Sequence, residues 1–304
     1  MRDLSTWLAC ALALAGSVTA GALAPEARWA PALVEREGHP ERIVSLALPA
    51  DELLLALVDP SRILALEEFV DDPSASNAVT EARAVPGRMR QPIVAEAILA
   101  AEPDLVILPA WSDPQIGSLL ALEGIHVHRV GSPASLEDVR REIRALGAVL
   151  GEVDGAEALI AAMDARLDAV AARGGERTER PRVLLAAWSG QTPARGTVFC
   201  ELVALAGGRC AAAEAGYEGY ALVPLEHVLA LDPDVVVTNA YRADASAREL
   251  VPEPPFAADP RYRTLSAVRT GRVVDVPSAH LLATSHHVAA LAEDLSRAIR
   301  SEAK

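Results

Sequence analysis

The chain predicts an α/β fold made of two Rossmann-like lobes with mainly parallel sheets, joined by a single long helix. Three observations lead there. The phrase Glu96-Ala97-Ile98-Leu99-Ala100-Ala101-Glu102-Pro103-Asp104-Leu105-Val106 returns 130 residues later as Glu226-His227-Val228-Leu229-Ala230-Leu231-Asp232-Pro233-Asp234-Val235-Val236. One unit is therefore built twice, and a ligand site is expected between the two copies. Around each copy, β-branched runs alternate with helical patterns, the arrangement that gives a parallel sheet. Between the copies, residues 135–173 keep helical periodicity with no strand pattern.

Taken in chain order, residues 1–24 read as an export signal. Arg2 opens it, residues 8–16 are apolar, and Ala20 and Ala24 end small-residue cleavage sites, so the exported chain begins near Gly21 or Pro25. The apolar stretch is broken by Gly16, Ser17 and Thr19 and falls short of the ~18 residues of a membrane span. Cys10 lacks an adequate apolar segment upstream for lipid attachment. A periplasmic location is expected.

The first lobe is assigned to residues 40–134. It opens with the strand Arg42-Ile43-Val44-Ser45-Leu46, continues with a helix over 50–57 and a strand over 63–66, and enters a polar loop at 67–77. The repeated phrase then supplies a short helix, a proline that stops it, and a buried strand over 105–108. A helix at 114–123 and a strand at 127–130 close the lobe. Residues 135–175 are helical, divided by Gly151, with Ser135 and Asp138 forming an acidic helix start. Their second part is long enough to cross a whole lobe. The second lobe, 181–304, repeats the plan with strands at 183–186, 235–237 and 273–276 and a closing helix at 285–300. Gly216 and Gly219 mark a loop there. Cys200 and Cys210 read as two separate thiols, because a helix between them would hold them roughly 9 Å apart.

Composition narrows the function. The 304 residues are 51% hydrophobic, enough for two packed cores, and the formal charge of −14 with no basic run excludes a nucleic-acid partner. No GxSxG elbow, Walker loop or GxGxxG fingerprint is present, so an enzyme is the second reading. No metal-ligand spacing occurs either. His126 and His128 alternate on one strand face, and His286-His287 are a poor chelating pair. No cofactor is expected.

In parallel sheets, ligands bind beyond the carboxyl ends of strands. In this chain Trp111, Trp188 and Tyr241 follow strands although aromatics are only 4% of residues. They are read as stacking platforms for a large flat ligand. Tyr217 and Tyr220 precede the second phrase as rim candidates, and Arg88, Arg90, Arg195 and Arg242 are candidate anion-binding side chains.

The export signal, the paired Glu-x-x-Leu-x-x-x-Pro-Asp phrases, the Arg42-Ile43-Val44-Ser45-Leu46 opening and the Leu205-Ala206-Gly207-Gly208 step together resemble the class III periplasmic binding proteins. These are receptors of ABC importers for iron chelates, haem and vitamin B12. The resemblance spans residues 40–300. It implies two lobes bridged by a stiff helix, a monomer whose partners are a metal chelate and an inner-membrane permease with its ATPase, and docking through one surface glutamate per lobe, here Glu96 and Glu226. It also places Trp111 and Tyr220 at the cleft. Met89 stands where B12 receptors carry an aromatic, and the loop 71–77 is similar to a ferric-siderophore cleft loop. Ferric siderophore is the favoured cargo, ahead of cobalamin and haem. For haem, the resemblance offers Tyr217, Tyr220, Tyr241, His280, His286 and His287 as candidate iron ligands. The alternatives are a receptor for a bare metal ion and a secreted two-lobed enzyme.

Overall fold

The computed structural model describes residues 38–175, 178–186, 191–239 and 256–301. The export signal lies outside them, as do Trp188, Tyr241 and Arg242.

The first lobe is built from β1 (Ile43–Ser45), α1 (Leu48–Leu57), β2 (Ile63–Glu67), α2 (Val79–Ala82), β3 (Arg88–Met89), α3 (Ala95–Ala100), β4 (Leu105–Pro109), α4 (Pro114–Leu122) and β5 (His126–Val130). Its five strands are ordered β3-β2-β1-β4-β5 and all pairs are parallel. Ile43, Val44, Leu105, Val106, Ile107 and Leu108 are almost fully buried, as expected of a sheet covered on both faces.

The predicted helical segment forms α5 (Leu136–Leu150) and α6 (Val153–Gly175). Ser135 caps α5 with a reciprocal bond to Asp138, and Gly151, at φ 76°, ends it. Helix α6, at 1.5 Å per residue, is about 34 Å long. Its inward residues Ile160, Met163, Leu167 and Val170 belong to one hydrophobic cluster that also contains Ile43 and Ile107 of the first sheet and Val183 and Val237 of the second. The lobes thus share a core along this helix.

The second lobe follows as β6 (Arg182–Ala186), β7 (Gln191–Pro193), α7 (Val198–Leu205), β8 (Arg209–Cys210), α8 (Ala211–Glu214), β9 (Tyr220–Leu222), α9 (Leu225–Leu231), β10 (Val235–Asn239), α10 (Ser266–Arg269), β11 (Val273–Val276), α11 (Ser278–Leu282) and α12 (Val288–Arg300). Strands β11-β10-β6-β8 make a second parallel sheet, while β7 and β9 pair antiparallel.

One expectation is overturned and two are refined. The Gly216–Gly219 loop leads directly into β9, which pairs with β7. The closing helix α12 starts at Val288, three residues later than expected, and the short α11 precedes it; between them Ala283 is extended and the Ser285 hydroxyl bonds Glu52 of α1. Cys200 and Cys210 are bridged, with Cα atoms 5.3 Å apart. The helix rise between them is cancelled because Gly207, at φ 87°, reverses the chain and β8 returns Cys210 beside the first turn of α7.

The two repeated phrases fold alike. Ile98 and Val228 are buried while Glu96, Ala97, Glu226 and His227 are exposed, and the residue before the proline of each phrase has positive φ, 50° at Glu102 and 40° at Asp232. Each copy is fastened by an arginine. Arg42 donates to the carbonyls of Glu102 (2.6 Å) and Ala101 (2.8 Å) while its backbone N–H donates to Asp104 (3.0 Å). Arg182 donates to Leu231 and Asp232 (both 2.8 Å) while its N–H donates to Asp234 (2.7 Å). The guanidinium thus occupies carbonyls that the helix end leaves without partners.

Candidate functional site

The carboxyl ends of the first-lobe strands converge on a cleft of about 260 Å³. The β1–α1 turn contributes Leu46, Ala47, Leu48 and Pro49; β2 ends in Glu67 and Phe69; β4 ends in Pro109 and Trp111; and β5 leads into Gly131 and Ser132. Gln91 joins from beyond β3, and Thr284 reaches over from the segment between α11 and α12. This is the strand-end position where open α/β sheets bind ligands. Its volume lies just under the ~300–1,000 Å³ of small-molecule sites, so it seats one edge of a large chelate.

Trp111 is presented by a short turn. Ser112 N–H donates to the Pro109 carbonyl at 3.0 Å, and the Ser112 hydroxyl accepts from Arg129 at 2.8 Å. Ser112 is buried, and the indole beside it is 73% exposed. Phe69, 51% exposed, lies on the neighbouring wall. Two aromatics held open at the rim of an apolar cleft are suited to stacking on a planar or macrocyclic ligand.

Glu67 is the charged member of this lining. Its backbone N–H donates to Asp51 of α1 (3.0 Å) and one carboxylate oxygen accepts the Phe69 N–H (2.9 Å). Burial, with Glu68 alongside, pushes its carboxyl up to about 7 against the pull of the Phe69 N–H. Burial likewise lifts Asp51 well above the usual carboxylate range.

Arg88 does not reach the cleft. Its five N–H groups are spent on Asp71 (2.8 Å twice) and on the carbonyls of Val85, Gly87 and Ala82, and this pairing holds Asp71 below the ordinary carboxylate range. The loop 71–77 is similarly occupied. Asp72 accepts from Ser74, and Asn77 donates to Glu52 and to the Ala279 carbonyl. Tyr220 and Arg195 stand on or beside the β7–β9 pair, exposed and outside the cleft lining. Of the candidate iron ligands among the described residues, Tyr217 bonds His227, His280 bonds Asp294, and the His286 and His287 rings lie 4.0 Å apart; none of these lines the cleft. Among the described residues, no group of three metal-ligating side chains occurs.

Of the residues that line the cleft, sequence reading singled out Trp111 but neither Glu67 nor Phe69. Both begin what reads as a polar loop, yet they directly follow a strand, the position by which Trp111 was recognised. The 130-residue offset of the repeat also carries Trp111 onto Tyr241, outside the described residues.

Glu96 and Glu226 sit at matching exposed positions in the first turns of α3 and α9. Gln91, five residues ahead of Glu96, lines the cleft; Glu96 itself does not.

Residues 43–280 match a family model described as "Periplasmic binding protein". Similar solved structures include a periplasmic haem-binding protein from Pseudomonas aeruginosa, 26% identical, with 87% of this chain and 94% of that one covered and a TM-score of 0.66. The haem-binding protein RhuT from Roseiflexus sp. RS-1 is 24% identical, with coverage of 86% and 99% and a TM-score of 0.69. The vitamin B12 binding protein BtuF of Vibrio cholerae is 22% identical, with coverage of 86% and 97% and a TM-score of 0.65. No curated protein matches the chain in sequence.

Proposed function

This chain belongs to the periplasmic binding protein family, and from that premise we propose that it captures a metal chelate between its lobes and hands it to an inner-membrane ABC permease and its ATPase. The family comprises solute receptors, not enzymes, and no described helix is long and apolar enough to cross a membrane. The observation that carries the proposal is the strand-end cleft, whose apolar floor is flanked by Trp111 and Phe69. A chelate with a wide apolar perimeter gains most from such walls. Ferric siderophore is the favoured cargo, with haem and cobalamin in the same class; the haem-binding proteins among the similar structures keep haem close behind. Glu96 and Glu226 are the proposed docking groups, two fixed carboxylates that set orientation by charge complementarity with a cationic permease surface.

The test is a tryptophan-fluorescence titration of the exported form with ferric trihydroxamates, haemin and cyanocobalamin, corrected for ligand absorbance. Saturable one-to-one quenching by one class identifies the cargo. Silence toward all three, with quenching by a bare transition-metal ion, overturns the chelate reading.

A further inference from the structure

The cleft is one-sided in charge. Among the described residues its lining carries one ionisable side chain, Glu67, and no cation. The nearest arginine on the adjoining strand, Arg88, has every N–H engaged. Behind Glu67 stands Asp51, fully buried, with one carboxylate oxygen bonded to the Glu67 N–H. Beside it, Glu68 accepts the N–H of Gln91, another lining residue. Glu67 itself is fixed as the cap of the single turn Glu68–Asp71 and uses one oxygen on Phe69, which leaves the second oxygen without a described hydrogen bond in a residue that lines the cleft. A carboxylate edge entering here would meet acceptors and no donor of opposite charge.

We propose that Glu67 is the charge-selecting residue of the cleft, admitting a chelate whose seated edge is neutral or carries an ammonium and rejecting one whose seated edge carries a carboxylate. This rests on the chelate-receptor reading above and specifies its substrate class. An ammonium gains a charge-assisted hydrogen bond from ionised Glu67, and a neutral hydroxyl or amide pairs with either protonation state. A carboxylate leaves two like groups facing each other in an apolar recess. The groups that bear on Glu67 are Asp51 from α1 and Glu68 from the following turn; on β3, Arg88 is bound to Asp71, and Arg90 after it is exposed and outside the cleft lining. Because the Glu67 carboxyl ionises near pH 7, the preference for an ammonium strengthens as pH rises from 6 to 8.

The experiment compares one pair of chelates per class: a ferric trihydroxamate with a free ammonium tail or the same tail succinylated, haemin dimethyl ester or haemin, and cyanocobalamin or its monocarboxylic acid. In whichever class binds, the neutral or cationic member should bind about tenfold tighter, the scale of one charge-assisted hydrogen bond. Glu67→Gln should close that gap, and Glu67→Lys should reverse it. If the variants do not fold, the wild type still decides: the gap should widen between pH 6 and 8. Equal affinity within the binding pair, or a gap that Glu67→Gln leaves unchanged, overturns the assignment while the receptor reading stands. No binding by any member overturns both.

Discussion

Arg88 and Trp111 were both marked by sequence as binding residues, and the fold treats them oppositely. An arginine in a loop reads as a free cation, but its planar fork also suits backbone carbonyls, and residues 82–88 present three of them together with Asp71. No local pattern announces that convergence. Trp111 was legible because a strand end followed by an aromatic needs no tertiary information. Replacing it with alanine should leave stability within about 0.5 kcal/mol, since the indole is mostly exposed, and weaken chelate binding about tenfold, as read by titration and thermal melts. Glu67 carries the opposite expectation. Its folded pKa is about 7 against an ordinary 4.5, so its contribution is fully present below pH 4.5 and is lost as pH rises through 7. Glu67→Gln should therefore be more stable than the wild type at pH 8, by up to about 3 kcal/mol, with the difference vanishing near pH 4. Urea unfolding at the two pH values checks it.

At the scale of elements, the α/β alternation, the capped start of α5 and the break at Gly151 were all readable, because each rests on local chemistry. The link between Cys200 and Cys210 was not, because it depends on how β8 returns past α7. The bridge closes a short loop, with a sequence separation of 10, and its reduction should cost about 3 kcal/mol in the chain-entropy account; unfolding with and without reductant measures it. Helix contact is equally specific at Gly174, near the end of α6. A Cβ there would stand 2.5 Å from the Leu205 carbonyl oxygen and 2.8 Å from the Gly207 nitrogen. These are backbone atoms that cannot swing aside, so Gly174→Ala should destabilise by about 1–3 kcal/mol, whereas Gly175→Ala, which meets nothing, should not.

Across the whole molecule, the two-lobed plan was legible from the repeat, but the extent of its joining was not. The core running from the first sheet through α6 to the second is one cluster, and Glu52 of α1 bonds Asn77 and Ser285 from opposite ends of the chain. His286 lies at this seam with its ring held near pKa 3 by burial, by His287 and by Arg166. It stays neutral in the fold while the unfolded chain takes up a proton near pH 6.5, so stability falls as pH drops from 6.5 toward 3. His286→Leu should flatten that acid limb of the denaturation curve. Charge reversal at Glu96 and Glu226 together should abolish uptake in a reconstituted permease while leaving chelate affinity intact; a loss of affinity would move these groups out of the docking role.

The arginine clasps on α3 and α9 bear on how such a receptor is recognised. Arg42 and Arg182 tie each of those helices to the strand it precedes, so each proposed docking carboxylate rides on a rigid block rather than a hinged arm. With a shared core between the blocks, the proposed receptor is a plug whose pins are expected to keep their gauge with or without a load. A socket that reads only the pins has no differential affinity with which to distinguish full from empty. If Glu96 and Glu226 dock as proposed, unloaded copies should occupy permeases as readily as loaded ones, and uptake should slow as the empty receptor accumulates.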